Sequence, residues 1–343
     1  MRHLGMHQHD HQHWLKIMQQ STWLESGIDC YNKGELVNSI ESKVCQLLDK
    51  PASLIFTKGT TCQLAALKTA SGARDNPYIA LHRRSHIAED EEDAYIHVTG
   101  LKPLFIGQTT HPFGSHDLRS LDIKPAVLTV ELPLRRVGFR LTPWDELLAM
   151  RKWCDEHQVH FHLDGARLWE STHFYQKPLP EIAALFDSVY VSLYKGIGGL
   201  SGAVLLGENN FIEWVKPWRN RLGSQPWTQF PALITALEGL QHNLPQIPGW
   251  TIRAKALAQS LKQLDDITVD TPHTNAFQVR LKGDATVVNQ KLLYLQDQLQ
   301  LVVCKPFAPA QDSDWLFTEV QIGKQGAHIT NQEVVDFFTQ LTT

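Results

Sequence analysis

The sequence has little of what marks secreted, membrane-spanning or disordered proteins. Its five cysteines are scattered and form no C-x-x-C pair, which fits a reducing compartment better than a disulfide framework. No apolar run is long enough to span a bilayer. The first residues lack the apolar core of a signal peptide, and no low-complexity linker interrupts the chain. We therefore expect a cytoplasmic, globular protein.

The chain also lacks a strong excess of either charge. The formal net charge is −4, and charged residues make up 20% of the 343 residues. Proteins that bind nucleic acid or anionic membranes usually carry clustered positive charge. We therefore predict a small-molecule partner, with no nucleic acid and no membrane. The length allows one large domain and a smaller one.

Histidine, by contrast, is abundant, and part of it crowds the start of the chain. His3, His7, His9, His11 and His13 alternate with other residues there. A tract of this kind can bind metal, but the periodicity of residues 1–30 is weak, which is typical of a solvated arm. We predict an N-terminal arm over residues 1–30 and no native metal site.

Seven strand-like apolar runs precede residue 208, and helical patterns separate most of them. The runs are SLIFT, YIALH, PLFIG, PAVLTVE, VHFHLD, SVYVSL and GAVLLG. Near-continuous apolar strands alternating with helices predict a mainly parallel α/β sheet with helices on both faces. We assign this large domain to residues 31–245. After it, short strands alternate with helices, which predicts a small C-terminal α+β domain over residues 246–343.

The most informative stretch runs from Val159 to Gly207. The strand VHFHLD ends in Asp164, and the strand SVYVSL delivers Lys195 to the glycine-rich turn GIGGLSG. Ligands of open α/β sheets bind beyond the carboxyl ends of strands. A lysine and a carboxylate at neighbouring strand ends suggest pyridoxal 5'-phosphate (PLP), which needs a lysine for its Schiff base and a carboxylate at its pyridinium nitrogen.

HLDGAR and YKGIGGLSG resemble two motifs of the L-threonine aldolase and β-eliminating lyase family, H-x-D-G-A-R and S-K-G-L-G-A-P-V-G. This resemblance implies a PLP-dependent enzyme of the aspartate aminotransferase (type I) fold. Further matches are Gly59 and Thr60 in a strand-to-helix turn, and His86 with Glu91 in a segment similar to S-H-I-x-x-x-E. A helix N-terminus binds phosphate through free N–H groups.

The resemblance also implies roles for individual residues. Lys195, His86, Asp164 and Arg167 are the predicted catalytic residues. The same four residues are predicted to bind the cofactor together with Gly59 and Thr60 at its phosphate, and Ser192 is a further expected phosphate contact. Tyr31, Arg135 and Arg136 are candidates for the substrate site.

Three features depart from the family pattern. Leu134 stands where a histidine is expected, Trp227 stands where an arginine is expected, and no arginine lies near Trp315. The R-S-D-T segment with which the family usually begins is also absent. Arg167, aided by Arg135 or Arg136, is then the candidate for binding a carboxylate, and His86 or a water must act as the base.

The reaction implied by the resemblance is aldol cleavage of a β-hydroxy-α-amino acid to glycine and an aldehyde, catalysed by a carbon–carbon lyase. β-Elimination and racemisation use the same cofactor without that base and stay open as alternatives. So does a relative that retains PLP without turnover. A homodimer or homotetramer with the site at the subunit interface is expected, and we considered Trp214, Trp218 and Trp227 for interface or core packing.

One alternative belongs to another class of enzyme. His160, His162 and Asp164 alternate along one strand and therefore share a face. H-x-H-x-D is a plausible set of metal ligands, so a metal-dependent hydrolase remains possible on sequence grounds. We found no later histidine or acidic cluster that would complete such a site.

Overall fold

The computed structural model describes residues 1–5, 10–310 and 314–343. In chain order the strands are β1 (Arg2–His3), β2 (Ala52–Phe56), β3 (Tyr78–His82), β4 (Lys102–Ile106), β5 (Val127–Glu131), β6 (His160–Asp164), β7 (Ser188–Ser192), β8 (Ala203–Gly207), β9 (Ile267–Val269), β10 (Ala276–Lys282), β11 (Leu301–Val302), β12 (Ala308–Pro309) and β13 (Trp315–Gln321). The chain divides into two compact units, residues 10–244 and residues 1–5 with 245–343.

The helices follow the same order. They are α1 (His11–Gln20), α2 (Glu35–Leu48), α3 (Gly59–Gly72), α4 (His86–Glu89), α5 (Ala94–His97), α6 (Trp144–His157), α7 (Thr172–Tyr175), α8 (Leu179–Ala183), α9 (Asn209–Arg221), α10 (Phe230–His242), α11 (Ile247–Leu261), α12 (Ala285–Leu299) and α13 (Asn331–Thr342). Within the described residues, no helix combines the length and the hydropathy needed to cross a membrane.

The larger unit is built on a seven-stranded sheet with the order β2-β8-β7-β6-β5-β3-β4. Only β8 runs antiparallel to its neighbours β2 and β7, whereas the remaining pairs are parallel. Strands β6, β7 and β8 are buried along their whole length, as expected for strands with both faces covered. The predicted mainly parallel, seven-stranded sheet is confirmed.

The helices begin and end where the sequence gives local reasons. In α2 the buried side chains Leu36, Val37, Ile40, Val44 and Leu48 recur every three or four residues, which places them on one face. The residues that follow α2 and α6, Asp49 and Gln158, both have left-handed backbone, which is a common way for a helix to end. The sequence favours Thr142 as the cap of α6, because threonine is a common cap and a proline follows it, but Pro143 occupies that position without a side-chain hydrogen bond.

The turn that carries Lys195 packs directly on α10. A Cβ added at Gly239 would lie 2.3 Å from the carbonyl oxygen of Ile197, so only glycine permits this approach. The backbone N–H of Leu200 donates to Thr235 Oγ1 (3.0 Å), and Asn243 Nδ2 donates to the same Ile197 oxygen (2.8 Å). Helix α10 therefore fixes the position of the Lys195 turn.

The smaller unit contains an antiparallel sheet with the order β12-β13-β10-β9. In it, β1 pairs in parallel with β11, joining Arg2 to Leu301 and His3 to Val302. Leu4 is fully buried beside this pair, and its carbonyl oxygen accepts from the N–H of Gly323 (3.2 Å). The predicted division into an arm, a large domain and a small domain stays a prediction. His7 and His9 of the predicted arm lie outside the described residues.

Candidate active site

The carboxyl ends of four neighbouring strands converge on one pocket. Strand β5 ends in Glu131, β6 ends in Asp164, and Lys195 and His86 follow closely after β7 and β3. Glu131 and Asp164 are direct partners in the register of β5 and β6. The pocket brings together His86, Glu131, Arg135, Asp164, Arg167 and Lys195. The sequence predicted five of these residues as site residues, and Glu131 is added by the structure.

Lys195 is half-buried at the start of its turn. Burial and the charge of Arg167 lower the pKa of its amine, against the opposing charges of Asp164 and Glu131. A lowered pKa leaves more of the amine neutral and nucleophilic near neutral pH. Lys195 is therefore suited to a reversible covalent bond with a carbonyl group.

Asp164 has one carboxyl oxygen without a protein partner. Its Oδ1 accepts from the N–H of Ala166 (3.2 Å). Its Oδ2 is buried and has no hydrogen-bond partner among the described residues. A buried acceptor left without a donor is costly, and the protonated ring nitrogen of PLP is a donor of the kind that this oxygen lacks. The residues present thus fit PLP.

The N-terminus of α3 provides a second feature that fits the cofactor. Gly59 and Thr60 open the helix, no side chain caps it, and its first turn contains no acidic residue. A Cβ at Gly59 would lie 2.2 Å from Tyr190 Oη, and Tyr190 is the register partner of Asp164. The side chain of Tyr190 therefore reaches from the strand beside Asp164 to the N-terminus of α3, where free N–H groups can bind a phosphate.

Two hydrogen bonds orient His86. Its backbone N–H donates to Glu131 Oε2 (2.8 Å), and its Nδ1 lies 3.1 Å from Glu91 Oε1. Burial lowers the pKa of His86, but the hydrogen bond with Glu91 and the charge of Asp164 outweigh that effect and raise it. His86 is thus a proton-exchanging group held beside Lys195 and Asp164.

Glu131 connects the two loops that line the pocket. Besides His86, it accepts the backbone N–H of Arg135 through Oε1 (3.2 Å). Burial and the charge of Asp164 raise the pKa of Glu131 to about 7, although both N–H donors act in the opposite direction. The sequence carried a signal for this residue, because Glu131, the last residue of β5, matches the glutamate that opens the family's E-N-T-H-N segment.

Arg167 is held by a buried carboxylate. Its Nη1 donates to Glu170 Oε1 (2.9 Å), and the guanidinium lies 5.4 Å above the ring of Phe139. Glu170 is fully buried, and burial raises its pKa, with Arg167 opposing. Sequence reasoning missed Glu170, although its position three residues after Arg167 was a signal for such a pair.

The two candidate substrate arginines differ. Arg135 lines the pocket, whereas Arg136 pairs with Asp90 and with Glu89 (Nε–Oε2 3.4 Å). Arg135 is therefore the better placed to assist Arg167. Leu134, which replaces the family's histidine, is buried, and its N–H bonds to the carbonyl of Arg140 (2.8 Å).

Ser192 is fully buried and holds neighbouring turns together. Its hydroxyl donates to the carbonyl of Ala166 (2.6 Å) and accepts from the N–H of Lys195 (3.4 Å). These bonds tie the Lys195 turn to the D-G-A-R turn. The expected contact of Ser192 with a phosphate stays a prediction.

Tyr31 and Trp227 lie together on the surface, where 52% and 59% of their areas are exposed. Their rings meet edge to face with centroids 5.1 Å apart. Trp214 is also exposed, so core packing of Trp214 and Trp227 is excluded. The proposed contact of Tyr31 with substrate stays a prediction.

The alternative metal site is not built as the sequence suggested. His160 Nε2 and His162 Nδ1 both bond to Ser188 Oγ (2.7 Å each), and His162 Nε2 bonds to Gln63 Oε1 (2.6 Å). Burial lowers the pKa of both imidazoles to about 3. Over the described parts of the chain, no group of histidine, cysteine or acidic side chains is placed to hold a metal ion. The two histidines form a neutral polar network inside the sheet.

The expected type I fold is confirmed by solved structures that resemble this one. A protein of Listeria monocytogenes EGD-E, named provisionally as an L-allo-threonine aldolase, superposes with a TM-score of 0.93 at 30% identity, covering 99% of this chain and 95% of the other. Leishmania major threonine aldolase shares the fold at 18% identity with a TM-score of 0.76, covering 98% and 96%.

The chain belongs to the beta-eliminating lyase family, whose model matches residues 15–283. Among its relatives is low-specificity L-threonine aldolase 1 of Arabidopsis thaliana, 25% identical over 74% of this chain and 74% of the relative. The chain spans between 50% and 74% of the curated relatives it matches. The predicted family and fold are confirmed, and lyases are the class of enzyme that this family defines.

Proposed function

We propose that the protein binds PLP at the Lys195 pocket. The observation that carries this proposal is the buried, unpartnered Oδ2 of Asp164 in the same pocket as a lysine with a lowered pKa. Gly59 and Thr60 would bind the phosphate at the open end of α3, and His86 would pack on the ring. When bound, PLP supplies the electron sink for bond cleavage at Cα.

We further propose aldol cleavage of a β-hydroxy-α-amino acid to glycine and an aldehyde. The guanidinium of Arg167 would bind the substrate carboxylate, with Arg135 beside it, because a guanidinium can pair with a carboxylate through two hydrogen bonds. His86 would accept the β-hydroxyl proton as the Cα–Cβ bond breaks. The curated relatives named low-specificity L-threonine aldolase support this reaction.

The test is incubation of the PLP-loaded protein with threonine, allo-threonine and phenylserine, followed by assays for glycine and the aldehyde. We expect equal amounts of both products, and none from Lys195→Ala, which should also lack the visible absorbance of covalently held PLP. Pyruvate from serine or inversion of alanine, without glycine from any of the three substrates, would replace the aldolase assignment by β-elimination or racemisation.

We also propose that the protein is a homodimer or a dimer of dimers. Ile28, Tyr31 and Trp227 expose 70%, 52% and 59% of their areas, and Tyr31 and Trp227 are in contact, so they form an apolar surface of the kind that subunits cover. Gln225 Nε2 bonds to Tyr31 O (2.7 Å), and the next residue back, Ser224, bonds to Thr57 beside the open end of α3. A partner on this surface would lie next to the cofactor site.

Light scattering of the wild type and of Trp227→Ser tests this assembly. We expect a closed oligomer for the wild type and a larger monomer fraction for the variant, because the substitution removes the larger of the two rings that meet on the Tyr31–Trp227 surface. Trp214→Ser, which changes an exposed tryptophan of α9, is the matched control. A wild type that is monomeric and fully active would contradict the proposal.

We also propose that the protein is located in the cytoplasm. All five cysteines are free thiols, and this suits a reducing compartment.

A further inference from the structure

The loop after β3 buries a carboxylate whose one hydrogen-bonding partner among the described residues is a histidine of the proposed active site. Glu91 exposes 1% of its side chain. Its Oε1 lies 3.1 Å from Nδ1 of His86, and its Oε2 is buried without a partner in the described parts of the chain. The same loop is anchored from the other side, where the N–H of His86 donates to Glu131 (2.8 Å).

This arrangement is poorly explained by stability alone. A carboxylate removed from water with half of its hydrogen-bonding capacity unused costs free energy, and one contact with an imidazole does not offset the full cost. Because an ionised carboxylate only accepts hydrogen bonds, Nδ1 of His86 must carry a proton. That leaves Nε2 as the nitrogen on which His86 gains or loses its proton near neutral pH.

Several other charged groups face His86 across the pocket. They are Asp90 on its own loop, Glu131 and Arg135 after β5, Asp164 and Arg167 after β6, and Lys195 after β7. Lys195 lowers the pKa of His86, whereas Glu91 and Asp164 raise it. Among the charged groups of the described residues, Glu91 is the one that shares a side-chain hydrogen bond with the imidazole.

We propose that Glu91 is a positioning residue that fixes His86 with Nδ1–H directed at its carboxylate, so that Nε2 is the atom that accepts the β-hydroxyl proton of the substrate. The inference rests on the proposed aldol cleavage for that last step. The hydroxyl proton moves to Nε2, the O–H electron pair becomes the second bond of the aldehyde carbonyl, and the Cα–Cβ bond breaks with its electron pair left on Cα, where bound PLP would delocalise it. A proton returned to Cα completes glycine, and His86 stays doubly protonated until it gives up the proton it accepted. Glu91 stabilises that doubly protonated form and touches no reacting atom.

The test compares Glu91→Gln with Glu92→Gln, an exposed neighbour. In PLP-loaded protein labelled with ¹⁵N-histidine, the His86 ring signals are identified by their loss in His86→Asn. Glu91→Gln should lower the midpoint of the His86 titration by about one pH unit. It should also lower the fraction of neutral His86 that carries its proton on Nδ1. The acid limb of the kcat/KM profile should move to lower pH by a similar amount, and Glu92→Gln should change neither.

The outcomes separate the inference from the proposed function. An unchanged His86 titration in Glu91→Gln, or an equal shift in Glu92→Gln, overturns the positioning role whatever the reaction. If the His86 titration shifts in Glu91→Gln but the wild type makes no glycine, the positioning role is supported and the aldolase assignment is refuted. If Glu91→Gln does not fold, Glu91→Asp replaces it. Its shorter side chain should then give a smaller shift in the same direction, and a titration equal to the wild type would overturn the role.

Discussion

At the scale of single residues, the site contains two adjacent carboxyl groups in different situations. Glu131 receives two backbone N–H groups, while Asp164 receives one and has an oxygen without a partner among the described residues. Burial and the charge of Asp164 raise the pKa of Glu131 to about 7. The two groups are thus suited to different tasks: Glu131 ties loops together, and Asp164 is left for a positively charged donor.

Asp164→Asn should separate cofactor binding from turnover. The variant retains Lys195 and the open end of α3, so we expect PLP to remain bound. An amide cannot hold the ring nitrogen protonated, so kcat should fall by about 10²-fold or more. Absorbance gives the PLP content, and glycine release gives the rate. Asp145→Asn at the exposed start of α6 is the control, and equal turnover in the two variants would refute the role of Asp164.

The site residues differ in how far the sequence predicted them. Asp164 and Lys195 could be predicted because they lie at or just after the ends of apolar strands, and the strand ends of a parallel sheet share one edge. The contacts of Glu91 and Glu170 could not be predicted, since they depend on how short helices turn after the strands. His160 and His162 were misassigned as possible ligands because the sequence does not show that Ser188, from the adjacent strand, bonds to both rings.

At the scale of elements, the Lys195 turn depends on α10. Gly239 allows the helix to approach the carbonyl of Ile197, while Thr235 and Asn243 bond to the turn. The motif GIGGLSG predicts the glycine turn, and the apolar run from Thr228 to Leu244 predicts a long helix. The sequence did not predict that they meet, because the contact is made by a glycine in mid-helix that no local rule requires.

Gly239→Ala should therefore disturb the cofactor site from a distance. The added Cβ would lie 2.3 Å from the Ile197 oxygen, so the turn must shift, at a cost of about 1–3 kcal/mol in the free energy of unfolding. We expect weaker PLP binding in an absorbance titration. Gly72→Ala, whose Cβ would meet nothing within 4 Å, is the control. Normal PLP affinity in Gly239→Ala would show that α10 does not position Lys195.

The misassigned cap of α6 belongs to the same scale. Thr142 has the residue type of a cap, but it is buried and its carbonyl accepts the hydroxyl of Tyr175 (2.7 Å). That tertiary contact places Thr142 one residue before the cap position. Local capping preference was outweighed by packing that the sequence pattern does not contain.

At the scale of the whole molecule, the smaller unit is assembled from both ends of the described chain. Leu4 is fully buried, its N–H donates to Val302 (2.9 Å), and a Cβ at Gly326 would lie 2.2 Å from its carbonyl oxygen. The sequence does not predict this pairing, because two-residue strands are too short for a periodic pattern. The weak periodicity of residues 1–30 indicates an arm there instead, and that boundary stays a prediction.

Leu4→Ala should destabilise the smaller unit by about 2–5 kcal/mol, as is usual when a buried leucine is truncated. Hydrogen exchange of the amides in β11 and β13 measures the effect locally, and we expect faster exchange there than in β5 or β6. Leu24→Ala, at a side chain that is 46% exposed, should leave the exchange unchanged. Equal protection of β11 in Leu4→Ala and the wild type would mean that Leu4 contributes nothing to this unit.

The pairing of β1 with β11 also has a consequence for synthesis on the ribosome. Arg2 and His3 leave the ribosome long before Leu301 and Val302, with which they pair, have been translated. During that interval the larger unit can fold, since domains generally fold as units while the chain is made, yet Leu4 has no native place to be buried. A nascent chain therefore carries Leu4 without its native neighbours until β11 has been translated, and this is the segment on which we expect chaperones to act.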